Sequence, residues 1–178
     1  MEPLAETARW IEEAVLGLAL CPFARTPWQA GVVHLARCDA ADEDGVAAAL
    51  DAEIVALMAA PRETRETTLL VCTACLSDFD VFNAFLGVAD ALVAAHGLEG
   101  TLQVASFHPD YRFAGEPPGD LANFSNRSPY PTLHLLREVS VEEAVTAHPD
   151  PDAIWRRNVE RLRGMSLEAL RKLRGGGA

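Results

Sequence analysis

No stretch of this 178-residue chain suffices to cross a membrane: the longest apolar run near its start, Ala14 to Cys21, falls far short of the roughly 20 residues a span needs. Basic charge is scarce as well, with 15 Lys and Arg against 26 Asp and Glu, a net charge of −11 and a pI near 4.8. Such a field repels nucleic acid and anionic membrane surface, so neither is expected as a partner. The start of the chain also lacks the positive charge of a secretory signal and carries Glu2, Glu6, Glu12 and Glu13 instead. A cytoplasmic location is expected, where the few cysteines, Cys21, Cys38, Cys72 and Cys75, stay reduced. The Asn-x-Ser triplets at Asn123 and Asn126 are then coincidences rather than glycosylation acceptors. Internal repeats are absent, and the composition excludes disordered, collagen-like and coiled-coil classes.

What is present fits one soluble, acidic, compact domain: 49% hydrophobic and 23% charged residues, enough for a single core. The domain is expected to span 1–174, followed by a flexible glycine-rich tail at 175–178. Leu4, Ala8, Ile11, Val15 and Leu18 recur at helical steps and predict an opening helix that ends at Cys21-Pro22-Phe23. Val32 to Arg37 predicts a strand, and Val46, Leu50, Ile54 and Leu57 one face of a second helix closed by Pro61. Thr67 to Cys72 is a continuous apolar run, the pattern of a strand covered on both faces. A third helix starts near Ser77 or Asp78 and presents Phe79, Phe82, Leu86, Ala89 and Val93. Strands follow at Leu102 to Phe107 and Thr132 to Leu136. Ser140 with Glu143 forms a capping box for a short helix, and Asp150-Pro151 opens another with Trp155, Val159 and Leu162 inward. A last helical piece runs from Ser166 to Leu173.

Strand, helix, strand, helix, strand makes two crossovers, so the first three strands should run parallel. The expected class is α/β, a single domain with an open, mostly parallel four-stranded sheet flanked by helices. Its element order is thioredoxin-like, and a ferredoxin-like α+β arrangement is the runner-up. Between the third and fourth strands lies a long loop, 108–131, which holds five of the eleven prolines. A connection of that length in a compact domain calls for a functional reason, and it leaves the end of a strand, where open α/β sheets place ligands.

Polar side chains gather at both ends of this loop. His108 is the natural proton carrier there, with Asp110 to orient it. Arg127 can hold a carboxylate or phosphate through a forked pair of hydrogen bonds, with Asn126, Ser128, Tyr130 and His134 completing the site. The competing structural role is that Arg127, Asn126 and Asp110 staple the loop, and that His134, between two strand leucines, is a satisfied sheet histidine. His108 and His134 with Asp110 and Cys21 could make a mixed zinc or iron site, but no local ligand spacing supports it, and the cofactor is left unknown. The tripeptide His108-Pro109-Asp110 recurs at His148-Pro149-Asp150, where it only caps a helix.

Cys72-Thr73-Ala74-Cys75 lies between a strand and a helix, the placement used by thiol-disulfide enzymes. If the helix is capped at Ser77 or Asp78, both cysteines fall outside its first turn and pack in the strand and turn. Three functions therefore stand side by side: a small-molecule enzyme or binder for an anionic ligand at 108–131, a thiol-disulfide oxidoreductase using Cys72 and Cys75, or a non-catalytic interaction protein presenting Tyr111, Phe113, Phe124 and Tyr130.

Three longer motifs, Leu20-Cys21-Pro22-Phe23-Ala24, Gln103 to Pro109 and Asn126 to His134, resemble those of a bacterial and plant family catalogued as domain of unknown function fourteen-fifteen. The resemblance runs over nearly the whole chain. It implies a single-domain soluble protein and carries over no catalytic residues. The charge distribution adds one point: arginines concentrate in the last helices, at Arg156, Arg157, Arg161, Arg163, Arg171 and Arg174, with Arg112 and Arg127 in the loop. A small anion thus has a place on an acidic chain.

Overall fold

The computed structural model describes residues 2–147 and 150–175. Helix α1 (Pro3–Trp10) opens with proline in its first turn and with the Glu2 carboxylate accepting from the Ala5 amide. It continues directly into a π-helical segment, Ile11–Leu16. There the Gly17 amide reaches the carbonyl of Glu12 and the Leu20 amide that of Val15, each five residues back. The inward stripe is Thr7, Trp10, Ile11, Ala14 and Leu16, its first two members already set in the regular helix before the wider turn. Of the stripe expected from regular helical spacing, only Ile11 is fully buried. A side chain at 17 has no room, because a Cβ there would lie 2.2 Å from the carbonyl oxygen of Glu13.

After the short α2 (Arg25–Gln29), the strands are β1 (Val33–Cys38), β2 (Thr67–Cys72), β3 (Leu102–Phe107) and β4 (Thr132–Arg137), in the order β1-β2-β4-β3. Strands β1 and β2 pair in parallel, whereas β4 is antiparallel to both β2 and β3. The first three strands therefore share one direction, as two crossovers require, and the class is α/β with flanking helices. The sheet is mixed because β4 is reached through a loop rather than a crossover helix and returns between β2 and β3.

Helices α3 (Glu43–Ala59) and α4 (Phe79–Ala95) cover one face, capped by the carboxylates of Asp42 and Asp78. Val46, Leu50, Ile54 and Leu57 pack with Phe82, Phe85, Ala89 and Val93 against Leu70, Leu133 and Leu135. Each fully buried aliphatic side chain contributes about 1.5–3 kcal/mol. The opposite face holds Trp10, Ile11, Ala14 and Leu16 against Leu69, with the Trp10 and Phe107 rings edge to face at 5.2 Å.

A third cluster, Leu20, Phe124, Leu162 and Leu170, joins the 108–131 loop to α6 (Pro151–Arg163) and α7 (Leu167–Arg174). The loop contains a 3-10 turn, Leu121–Ser125, capped by Asp120. Asp150 caps α6 by accepting from Ala153, but that helix docks through Asn158 and Leu162, which leaves Trp155 55% exposed instead of inward. Helix α5 (Glu138–Thr146) begins directly off β4, ahead of the Ser140 capping box. The box is not used: Ser140 Oγ bonds Glu66, and Glu143 pairs with Arg62 at 2.9 Å. Among the described residues, no helix is long and apolar enough to cross a membrane. His148, Pro149 and the tail from 176 to 178 lie outside the described residues.

Candidate functional site

The two ends of the 108–131 loop meet at the edge of the sheet. The His108 amide donates to the Asn126 carbonyl at 3.1 Å, and Asn126 Nδ2 donates to the Ser106 carbonyl at 3.3 Å. Between them, Asn123 is fully buried and holds the loop's interior, accepting from the Phe113 amide and donating to the Pro117 carbonyl, each at 3.0 Å.

His108 is fully buried against the Phe79 and Phe82 rings. Its Nδ1 accepts from the Asp110 amide at 3.0 Å, so the proton sits on Nε2 and is donated to the Leu76 carbonyl at 3.1 Å. Burial pushes its pKa below the ordinary value. Both ring nitrogens are thus engaged by backbone, and the imidazole, expected as a proton carrier, joins the β3 exit to the turn before α4. Asp110 itself is exposed.

Ser128 Oγ and Thr132 Oγ1 both donate to the Tyr130 carbonyl, at 2.6 and 2.9 Å, and Tyr130 Oη donates to Glu6 at 2.5 Å. The Glu6 carboxylate pushes the Tyr130 phenol up to about 12. His134 lies on the opposite face of the sheet from His108, beside Phe107 and with Nε2 2.8 Å from Thr67 Oγ1. The two histidines do not converge. Asn126, Ser128, Tyr130 and His134 each have a partner within the chain and serve the loop and sheet. Of the four aromatics considered as a contact surface, Phe124 is buried and Tyr111, Phe113 and Tyr130 are partly buried, so none is exposed.

All four cysteines are free. Cys72 faces Cys38 across the β1–β2 register, and burial, followed by these neighbouring thiols, pushes it up to about 12. The helix that follows is capped by Asp78, beyond Cys75, so neither thiol sits in its first turn. Cys21 accepts from the Phe23 and Ala24 amides, but burial outweighs them and raises its pKa. Among the described residues, no three His, Cys, Asp or Glu side chains come together as metal ligands.

Arg127 does face an unfilled place. Its Nε donates to the Tyr111 carbonyl at 3.2 Å, one terminal nitrogen donates to the Pro118 carbonyl at 2.7 Å, and the guanidinium lies 4.7 Å over the Phe124 ring. Beyond it opens a crevice lined by Trp10, Ala14, Leu18 and Leu20 of the π-helical region, by Phe124 and Leu162, and by Leu170, Leu173 and Arg174 of α7. As it stands, the crevice has room for about one water molecule. Burial lowers the pKa of Arg127; nearby Asp110 opposes this, while the charges of Arg174 and Arg171 act with it.

Other arginines are neutralised nearby. Arg62 pairs with Glu66 and Glu143, Arg163 with Glu116 and Asp120, and Arg112 with Asp80. Arg25, Arg137, Arg157 and Arg161 donate to backbone carbonyls at helix ends. By contrast, no carboxylate among the described residues pairs with Arg127, Arg171 or Arg174. The carbonyl of Pro109, 3.4 Å from Arg174, is a neutral acceptor. Sequence reasoning found Arg127 and the arginine-rich last helices separately. It missed Trp10 and the joining of Arg127 to Arg174, for which no local signal exists.

The family described as Protein of unknown function (DUF1415) matches residues 2–172. No curated protein and no solved structure matches the chain.

Proposed function

The chain belongs to this family of proteins of unknown function, and from the geometry of its crevice we propose that it recognises a small anion, a carboxylate or phosphate, between Arg127 and Arg174. The observation that carries this reading is that Arg127 and Arg174 line one crevice on a chain of net charge −11 while no carboxylate among the described residues forms an ion pair with either, Asp110 acting on Arg127 only from a distance. Acidic side chains are plentiful, so arginines left beside one another invite a counter-charge from outside. The neighbouring π-helical segment supports the same location, because such segments often mark functional sites. Binding, rather than proton transfer by His108, is what the hydrogen bonding of that imidazole favours. A small-molecule binder, or an enzyme whose anion subsite this is, follows from the reading.

Thermal unfolding with inorganic phosphate, pyrophosphate, citrate and acetate at low ionic strength tests it. A ligand at a hundred times its Kd stabilises the folded state by about 2.7 kcal/mol. Wild type should respond saturably to at least one anion, Arg174→Gln should lose the response, and Arg127→Lys should weaken it. Indifference of wild type to all of them, or equal responses in wild type and Arg174→Gln, would remove the reading.

A further inference from the structure

The crevice that Arg127 and Arg174 share is otherwise apolar, with Trp10, Leu18 and Phe124 on the body side and Leu170 and Leu173 on α7. Resting on the anion reading above, we propose that the ligand is a hydrophobic carboxylate, an anionic head on an aliphatic chain, and that α7 is the element that yields to admit the chain. Inorganic phosphate would meet the two guanidiniums but leave this lining with nothing to bury. An aliphatic chain would bury against it while the carboxylate bridges Arg127 on the loop and Arg174 on α7.

Beyond room for about one water molecule, the space is now filled by α7 itself. Leu170 is almost fully buried in the small cluster with Leu20, Phe124 and Leu162, apart from both larger cores. Among the described residues, no salt bridge ties α7 to the body, and its one long-range side-chain hydrogen bond runs from Arg174 to the Pro109 carbonyl at 3.4 Å. Leu173 packs at the margin of the Trp10 cluster, and the helix is therefore held by a few leucine contacts, the same kind of contact an aliphatic chain supplies. Displacing Leu170 and Leu173 by such a chain exchanges one apolar contact for another, and the carboxylate relieves the repulsion between the arginines.

Isothermal titration with acetate, hexanoate, decanoate and the uncharged decanol, with hydrogen exchange of α7 followed in parallel, tests this on wild type, Arg174→Gln, Arg174→Lys and Arg171→Gln. Each buried methylene should tighten binding about fourfold, so decanoate should bind far more tightly than hexanoate. Decanol should bind at least about tenfold more weakly than decanoate to wild type, a difference that Arg174→Gln removes and Arg174→Lys partly restores. Exchange of the α7 amides should quicken with decanoate and not with acetate. Equal affinity for acetate and decanoate would overturn the hydrophobic-ligand inference and leave the anion site standing. Decanoate binding that is the same in wild type and in both charge-removing variants would also overturn it. Absence of binding by any carboxylate, with phosphate equally inert, would remove both readings.

Discussion

The imidazole of His108 and the carbonyl of Leu76 are joined at 3.1 Å, linking the end of β3 to the turn that precedes α4. Leu76 sits there in the left-handed region at φ 63°, a conformation a branched, bulky residue rarely adopts. The hydrogen bond and the burial of the Leu76 side chain hold it in place. Replacing His108 by Ala leaves the Leu76 carbonyl and the Asp110 amide without these partners and empties a packed site. Urea unfolding should show a loss of about 2–4 kcal/mol. A change below about 0.5 kcal/mol would mean that the imidazole does not hold this turn.

Stability should fall as the solution is acidified, before the carboxylates titrate. His134 is lowered by burial to about 4, against about 6.5 for an ordinary histidine. The Thr67 hydroxyl gives its own proton to the Leu135 carbonyl at 2.6 Å, so it accepts the Nε2 proton of a neutral imidazole. Unfolded chains take up the extra proton first, hence the stabilisation is complete above about pH 6.5 and is lost as pH falls toward 4. His108, also lowered by burial, acts in the same direction. Between about pH 7.5 and pH 5 the loss from His134 should be about 2 kcal/mol. His134→Gln should flatten the dependence, and a flat wild-type profile would contradict this account.

Gly17→Ala should destabilise the protein although residue 17 is exposed. In a regular helix, alanine would be favoured by about 1 kcal/mol. Here the π-helical turn brings the Glu13 carbonyl oxygen to 2.2 Å from the added Cβ. The turn must shift, with a cost of about 1–3 kcal/mol and a melting temperature lowered by several degrees. A stabilised alanine variant would show that this segment relaxes to an ordinary α-helix.

Native Cys72 should resist iodoacetamide near neutral pH, since its thiol is buried and pushed up to about 12. Cys75, which is partly exposed, should be modified first. Mass spectrometry after oxidation with glutathione disulfide should find no Cys72–Cys75 bridge in the folded protein. A stoichiometric bridge would restore the thiol-disulfide reading.

Much of the fold was legible in the residues themselves. The run from Thr67 to Cys72 forms a wholly buried strand, and Val46, Leu50, Ile54 and Leu57 form the core stripe of α3, because burial periodicity is a local property of the chain. Asp78, Asp150 and Ser166 cap helices for the same reason, as each bonds an amide two or three residues away. The opening helix turns Thr7 and Trp10 inward instead of Leu4 and Ala8, because Trp10 packs on Phe107, a contact distant in sequence, and the Thr7 hydroxyl is satisfied by the Pro3 carbonyl. Trp155 was misplaced because α6 docks one residue further round, where Asn158 Nδ2 meets the Leu20 carbonyl at 2.7 Å.

An acidic α/β domain with a long loop after its third strand and arginines gathered toward its end can be read from the residues alone. Side-chain type and local spacing carry that much. Which partners the polar groups of the loop find depends on the folded chain. His108, Asn126, Ser128 and Tyr130 find partners a few residues away or across the sheet, while Arg127, bonded to the Tyr111 and Pro118 carbonyls but to no carboxylate among the described residues, shares a crevice with Arg174, distant in sequence, through the docking of α7. Whether a buried polar group is satisfied depends on the three-dimensional accounting of donors and acceptors, which no linear pattern contains.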